Sequence, residues 1–198
     1  MKTSNPNNNL KAYSKLPENK FQEYAAISKA EEEGIDNKKK GLIIPLSPTE
    51  KVIYNGKAQR ELYRMYGDPR VKGWGNKWMV IWHIKKQFPW FPAERVYIHR
   101  DFRAKLTSAL TMLEAGGLHH EIKTFDGCYN VRTVRGTESI LSVHSWGCAI
   151  DLNAALNPLG AESAWSYDFI NVMEHCGIYC GSRWNGRPDG MHFALVNG

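Results

Sequence analysis

After Asp101, Phe102, Leu106, Leu110 and Leu113 recur at the spacing that keeps one face of an α-helix apolar, and Gly116-Gly117 closes the run. A core helix is expected there. A second helix is expected over residues 163–176, with Trp165, Phe169, Val172 and Met173 as its buried stripe and Gly177 as its stop. Between and after these helices, residues 129–134, 148–153 and 191–196 read as short strands with a period of two. Helices that must each bury one stripe, mixed with short strands, define an α+β fold in which a small sheet is covered by helices.

A chain of 198 residues can bury roughly 70% of the surface it exposes when unfolded, so it needs neither disulfides nor metal merely to fold. Any metal site therefore calls for a functional reading. The longest apolar stretches, residues 41–46 and 78–82, fall far short of the ~20 residues that cross a bilayer, so no membrane insertion is expected. Lys2 is followed by Thr3, Ser4, Asn5 and Pro6 rather than an apolar run, so no secretory signal is expected either. Cys128, Cys148, Cys176 and Cys180 lack the C-x-x-C spacing of a zinc knuckle or redox motif and are read as reduced, mostly buried thiols. Residues 1–50 read as an N-terminal extension: a polar tail, a surface helix over residues 18–33 using Phe21, Tyr24, Ala25 and Ser28, then a charged linker. The main domain is expected over residues 51–198.

Charge is unevenly spread. Residues 51–100 hold eleven Lys and Arg against three acids, whereas residues 101–198 hold seven against ten. The basic stretch favours anionic partners, or serves solubility. Tyr54, Tyr63, Tyr66, Trp74, Trp78, Trp82, Trp90 and Tyr97 are interleaved with its cations. Such interleaving occurs in single-strand nucleic-acid binders, where bases stack on rings, and equally in the covering wall of a small enzyme.

Chemistry concentrates near the C-terminus, where His144, Asp151 and His192 each sit in an otherwise apolar strand-like pattern. In residues 148–153, Cys148, Ile150 and Leu152 are expected on one face, with Ala149, Asp151 and Asn153 on the other. In the last strand, Met191, Phe193 and Leu195 take the apolar side, leaving His192, Ala194 and Val196 opposite. Gly147 permits a sharp bend that folds His144 back over the polar face. Two imidazoles and one carboxylate suit a catalytic zinc ion that keeps a fourth position for water. Asp189, in the Pro188-Asp189-Gly190 turn, is the candidate proton shuttle. Singly, each of these residues is better read as a hydrogen-bonded structural group; together they favour the metal. Trp146 either walls the pocket or belongs to the core. His83, His99, His119, His120 and His175 fit no ligand position.

The run Ser142-Val-His144-Ser-Trp-Gly147-Cys-Ala149-Ile-Asp151-Leu-Asn, followed by Asp189-Gly-Met-His192-Phe, resembles the zinc peptidases of the VanY-like D-alanyl-D-alanine carboxypeptidase family. That family includes the L-alanyl-D-glutamate peptidases used as phage endolysins. The resemblance extends over roughly residues 50–198, with sharp motifs only in the last third. It implies a LAS-type fold whose small antiparallel sheet carries Zn2+, with His144, Asp151 and His192 as ligands and Asp189 as general base. The segment Gly127-Cys-Tyr-Asn-Val-Arg132-Thr-Val-Arg135-Gly also looks like the family's upstream stretch, which implies that Arg132, or less readily Arg135, holds the substrate carbonyl.

The expectation is thus a monomeric zinc peptidase of bacterial peptidoglycan stem peptides. It would be a phage lysis endopeptidase made in the host cytoplasm and reaching the wall after release by a separate factor. A D-alanyl-D-alanine carboxypeptidase or a dipeptidase is the alternative within the class. The rival from another class is a single-stranded nucleic-acid-binding protein built on residues 51–100; with the peptidase reading no stable nucleic-acid partner is expected.

Overall fold

The computed structural model describes residues 56–197, so the expected helix over residues 18–33, its linker and the boundary near residue 50 lie outside the described residues. The first described helix, α1 (Lys57–Tyr66), buries Ala58, Leu62, Tyr63 and Tyr66 at helical spacing. A short α2 (Trp74–Trp78) runs directly into β1 (Met79–Trp82). β1 pairs antiparallel with β2 (Val96–His99), Met79 opposite His99 and Trp82 opposite Val96, across a connection that contains α3 (Ile84–Gln87). The expected core helix is α4 (Arg100–Ala115), with Phe102, Leu106, Leu110 and Leu113 all buried. His99 starts it, its Nδ1 accepting from the Asp101 N–H at 3.2 Å.

The second sheet has four strands in the order β3 (Phe125–Gly127), β4 (Ala149–Leu152), β6 (His192–Ala194), β5 (Tyr179–Cys180), every pair antiparallel. Helix α5 (Tyr167–His175) packs against α4. Ile150, Leu152 and Phe193 project into one apolar cluster with these two helices. Ala149, Ala194 and Val196 project to the other side, into a cluster with α1, α2 and Trp146. The fold is α+β, with two small antiparallel sheets and covering helices, as the patterning implies.

Three details differ from the sequence reading. Residues 129–134 form no strand; only Thr133 pairs, in an isolated bridge to Leu141. The backbone there bonds instead to a turn: Asn130 N–H donates to the His144 carbonyl at 3.1 Å, and Ser142 N–H to that of Arg132 at 2.9 Å. The second helix begins at Tyr167 rather than near residue 163, because the Asn157 Oδ1 accepts from Ala164 N–H and Ser163 Oγ and holds that stretch outside the helix. Trp165 precedes the helix yet is still buried, stacked on Phe169 with ring centroids 4.2 Å apart. Cys148 joins the cluster of Ala149 rather than that of Ile150, because the strand and its alternation begin only at Ala149, and Cys148 lies between it and the left-handed Gly147.

Candidate metal centre

Asp151 and His192 are direct partners in the β4–β6 register, so their side chains leave the sheet on one face at one height. That face is the one carrying Ala149 and Ala194, whose small side chains leave room above the sheet. His144 arrives from elsewhere. It sits on a 3-10 turn, Val143–Trp146, rather than in a strand, and Gly147 at φ +64° turns the chain from there into β4.

The three side chains meet. His192 Nδ1 lies 3.1 Å from Asp151 Oδ1, His144 Nε2 lies 3.2 Å from the same oxygen, and the two ring nitrogens are 3.2 Å apart. The other nitrogen of His144, Nδ1, is 2.6 Å from the Cys128 carbonyl oxygen. A carbonyl only accepts, so Nδ1 carries the proton and the Nε2 lone pair faces the cluster. With the His192 proton on Nε2, lone pairs of two imidazoles and a carboxylate converge, an arrangement that suits a cation. Four ligand atoms placed tetrahedrally at ordinary zinc bond lengths lie about 3.3 Å apart, close to the separations here. The donor set fits a metal ion: among the described residues His144, Asp151 and His192 form the one group of this kind.

Burial would raise the pKa of Asp151, but His144 and His192, which when doubly protonated donate to its oxygen and carry positive charge, hold its carboxyl well below the usual carboxylate range. It is an anion at any physiological pH. Asp189 differs. It sits on the loop before β6, where burial pushes its carboxyl up; His192 pulls it down, the Asp151 charge pushes it up, and His144 and Arg135 pull it down. Its Oδ1 is buried and accepts no hydrogen bond among the described residues. Asp189 thus lies within electrostatic reach of His192, Asp151 and His144 but outside their three-atom cluster.

The two arginines are placed differently. Arg132 is tied by its backbone to the His144 turn, its N–H donating to Ser145 Oγ at 3.1 Å and its carbonyl accepting from Ser145 Oγ at 3.0 Å. Its guanidinium donates to the Thr133 carbonyl at 3.3 Å. Arg135 is exposed, and its charge acts on Asp189.

Trp146 proves to be a core residue: it is fully buried, its indole N–H donates to the Gly67 carbonyl at 2.9 Å, and Tyr63 meets it edge-on. Tyr63, Tyr66, Trp74, Trp78 and Trp82 are buried as well, so most of the aromatic series in residues 51–100 packs the interior instead of offering a stacking platform. Tyr54 lies outside the described residues. The four cysteines are free thiols, three of them buried. Sequence reasoning missed two neighbours of the site. One is the Cys128 carbonyl that orients His144, which has no side-chain signature. The other is Trp184, whose ring lies 5.4 Å from that of His192 and which no periodicity marks. No helix among the described residues is long and apolar enough to cross a membrane.

Residues 135–195 match the family model described as D-alanyl-D-alanine carboxypeptidase. The matched region is less than a third of the chain but contains His144, Asp151, Asp189 and His192, and it supports a metallopeptidase. No curated protein matches the chain.

Proposed function

We propose that the protein is a zinc-dependent peptidase acting on the stem peptides of bacterial peptidoglycan. The observation that carries this reading is the meeting of His144 Nε2, Asp151 Oδ1 and His192 Nδ1 within about one ligand-to-ligand distance of each other, inside the region that matches a carboxypeptidase family. A zinc ion bound there would supply Lewis acidity, polarising a peptide carbonyl and making water a better nucleophile near neutral pH. The chain's own groups do the rest. Asp189 accepts a proton from the attacking water and returns it to the departing amine. Arg132, fixed to the His144 turn, donates to the carbonyl oxygen as it gains charge. The basic residues 51–100 favour approach to an anionic wall. Within this reading we assign cleavage inside the stem peptide, the activity of a phage lysis enzyme released to the wall by a separate factor.

Metal analysis and turnover test the assignment together. Wild-type protein is expected to hold one zinc per chain, and His192→Ala to lose it. Asp189→Asn is expected to keep the zinc while losing about 10²–10⁴-fold in kcat. Arg132→Ala is expected to lose about 10²-fold, and Arg135→Ala clearly less. Mass spectrometry of digested wall fragments reads the bond: new N-termini within the stem peptide support the endopeptidase, whereas loss of terminal D-alanine alone replaces it with a carboxypeptidase. A metal-free preparation with full activity refutes the whole proposal.

A further inference from the structure

The general base of the proposed reaction has an unusual support. Asp189 Oδ1 is buried without a hydrogen bond among the described residues, so the carboxylate's position depends on the backbone that carries it. That backbone is gripped on both sides. On one side, Asp189 N–H donates to the Gly181 carbonyl at 2.9 Å, and the Gly181 Cα lies so close that a Cβ there would stand 2.5 Å from the Asp189 carbonyl oxygen and 3.1 Å from its Cβ. On the other side, the Trp165 indole N–H donates to the Gly190 carbonyl at 2.7 Å. Gly190 in turn is closely packed: a Cβ would lie 3.1 Å from that of Asn157 and 3.3 Å from that of Ser163. Two further backbone bonds complete the grip, Gly160 N–H to the Pro188 carbonyl at 2.7 Å and His192 N–H to the Asp189 carbonyl at 3.1 Å.

Gly181 is not in the left-handed region, so backbone conformation does not call for glycine there. What calls for it is the closeness of Asp189. An ordinary contact between carbon and oxygen is about 3.5 Å, so one methyl at position 181 displaces Asp189 by about 1 Å. Trp165 is held rigid by stacking on Phe169 and by edge contact with Phe193, whose centroid is 5.6 Å away. Its N–H is therefore a fixed point from which the Gly190 carbonyl hangs.

We propose that Gly181 and Trp165 are positioning residues that hold the Asp189 backbone between them and thereby aim its carboxylate at the water to be deprotonated. The proposal rests on the reading of Asp189 as general base. A misplacement of about 1 Å costs roughly 10²-fold in rate when the group must meet a reacting atom.

The test compares Gly181→Ala, Trp165→Phe and Asp189→Asn, singly and combined, in the zinc-loaded full chain acting on a stem-peptide substrate. Gly181→Ala is expected to retain one zinc per chain and an unchanged KM while kcat falls 10–100-fold, and its crystal structure to show Asp189 displaced. Trp165→Phe keeps the aromatic packing and loses only the N–H, so a 3–10-fold fall in kcat is expected, and it carries the test if Gly181→Ala does not fold. Adding either change to Asp189→Asn should cost nothing further. Full kcat in Gly181→Ala or, where that variant is not folded, in Trp165→Phe overturns the proposal, as does an equal loss in the Asp189→Asn background. Wild-type activity in Asp189→Asn instead removes the general base itself, and the positioning role with it.

Discussion

Gly147 carries two demands at once. Its φ of +64° is one that a side chain disfavours, and a Cβ there would lie 2.5 Å from Met79 Cε and 3.0 Å from the His99 nitrogen. The close approach also lets His99 N–H donate to the Gly147 carbonyl at 3.1 Å, which ties β2 to the turn bearing His144. Gly147→Ala is expected to destabilise the protein by roughly 2–4 kcal/mol through strain and overpacking together, and to lower zinc stoichiometry. Urea unfolding and metal analysis check it. Asp68 offers a contrasting, peripheral case. Burial opposes its ionisation, but hydrogen bonds from the Arg70 side chain and backbone, and the guanidinium charge, hold its carboxyl below the usual range. A depressed folded pKa gives stability that is complete above the unfolded value near 3.8 and is lost as pH falls through the folded one. Asp68→Asn should therefore cost up to about 1 kcal/mol at pH 7, and its difference from wild type should shrink as the pH is taken below 3.8, measured by urea unfolding at each pH.

At the level of elements, α5 depends on its first turn. Ser166 Oγ accepts from the Phe169 N–H at 3.1 Å and donates to Glu121 Oε1 at 2.6 Å, so one hydroxyl both caps the helix and joins it to the segment before β3. Ser166→Ala is expected to cost about 1–2 kcal/mol, and Ser166→Asp to restore the cap while losing the Glu121 bond; thermal and urea denaturation distinguish them. The β4–β6 pairing matters differently. A slip of one residue would send Asp151 or His192 into the apolar cluster of Ile150 and Phe193, so the burial of those two side chains specifies the register that makes the site.

Across the whole molecule, the face that carries Asp151 and His192 is backed by the second apolar cluster, to which α1 and α2 contribute. Tyr63 and the Gly67 carbonyl both contact Trp146, in the same turn as His144. A protein that begins at residue 79 would keep His144, Asp151, Asp189, His192 and all of residues 135–195, yet expose Trp146. Such a truncation is expected to lose zinc and activity, and Trp146→Ala in the full chain to destabilise by about 3–5 kcal/mol. Calorimetry with and without a chelator reads both effects, because an ion bound only to the folded state raises the melting temperature. Most rings of the basic aromatic stretch thus pack inside, behind the turn that bears His144, while its described cations lie outside.

The sequence alone was sufficient for α4, for the α+β class and for which faces of β4 and β6 carry Asp151 and His192, because periodicity of 3.6 or 2 is a local consequence of burying one side of an element. Asp151 and His192 were also legible as candidate ligands, since polar groups inside apolar strands stand out against their neighbours, whereas His144 lies on a 3-10 turn. Only the folded chain decided the remainder. The orientation of His144 depends on a carbonyl sixteen residues away, the fate of residues 129–134 on a turn that takes their hydrogen bonds, and the position of Asp189 on Gly181 and Trp165 pressing from either side. These are contacts of backbone atoms with groups distant in sequence, and they leave no period or residue type along the chain by which to find them.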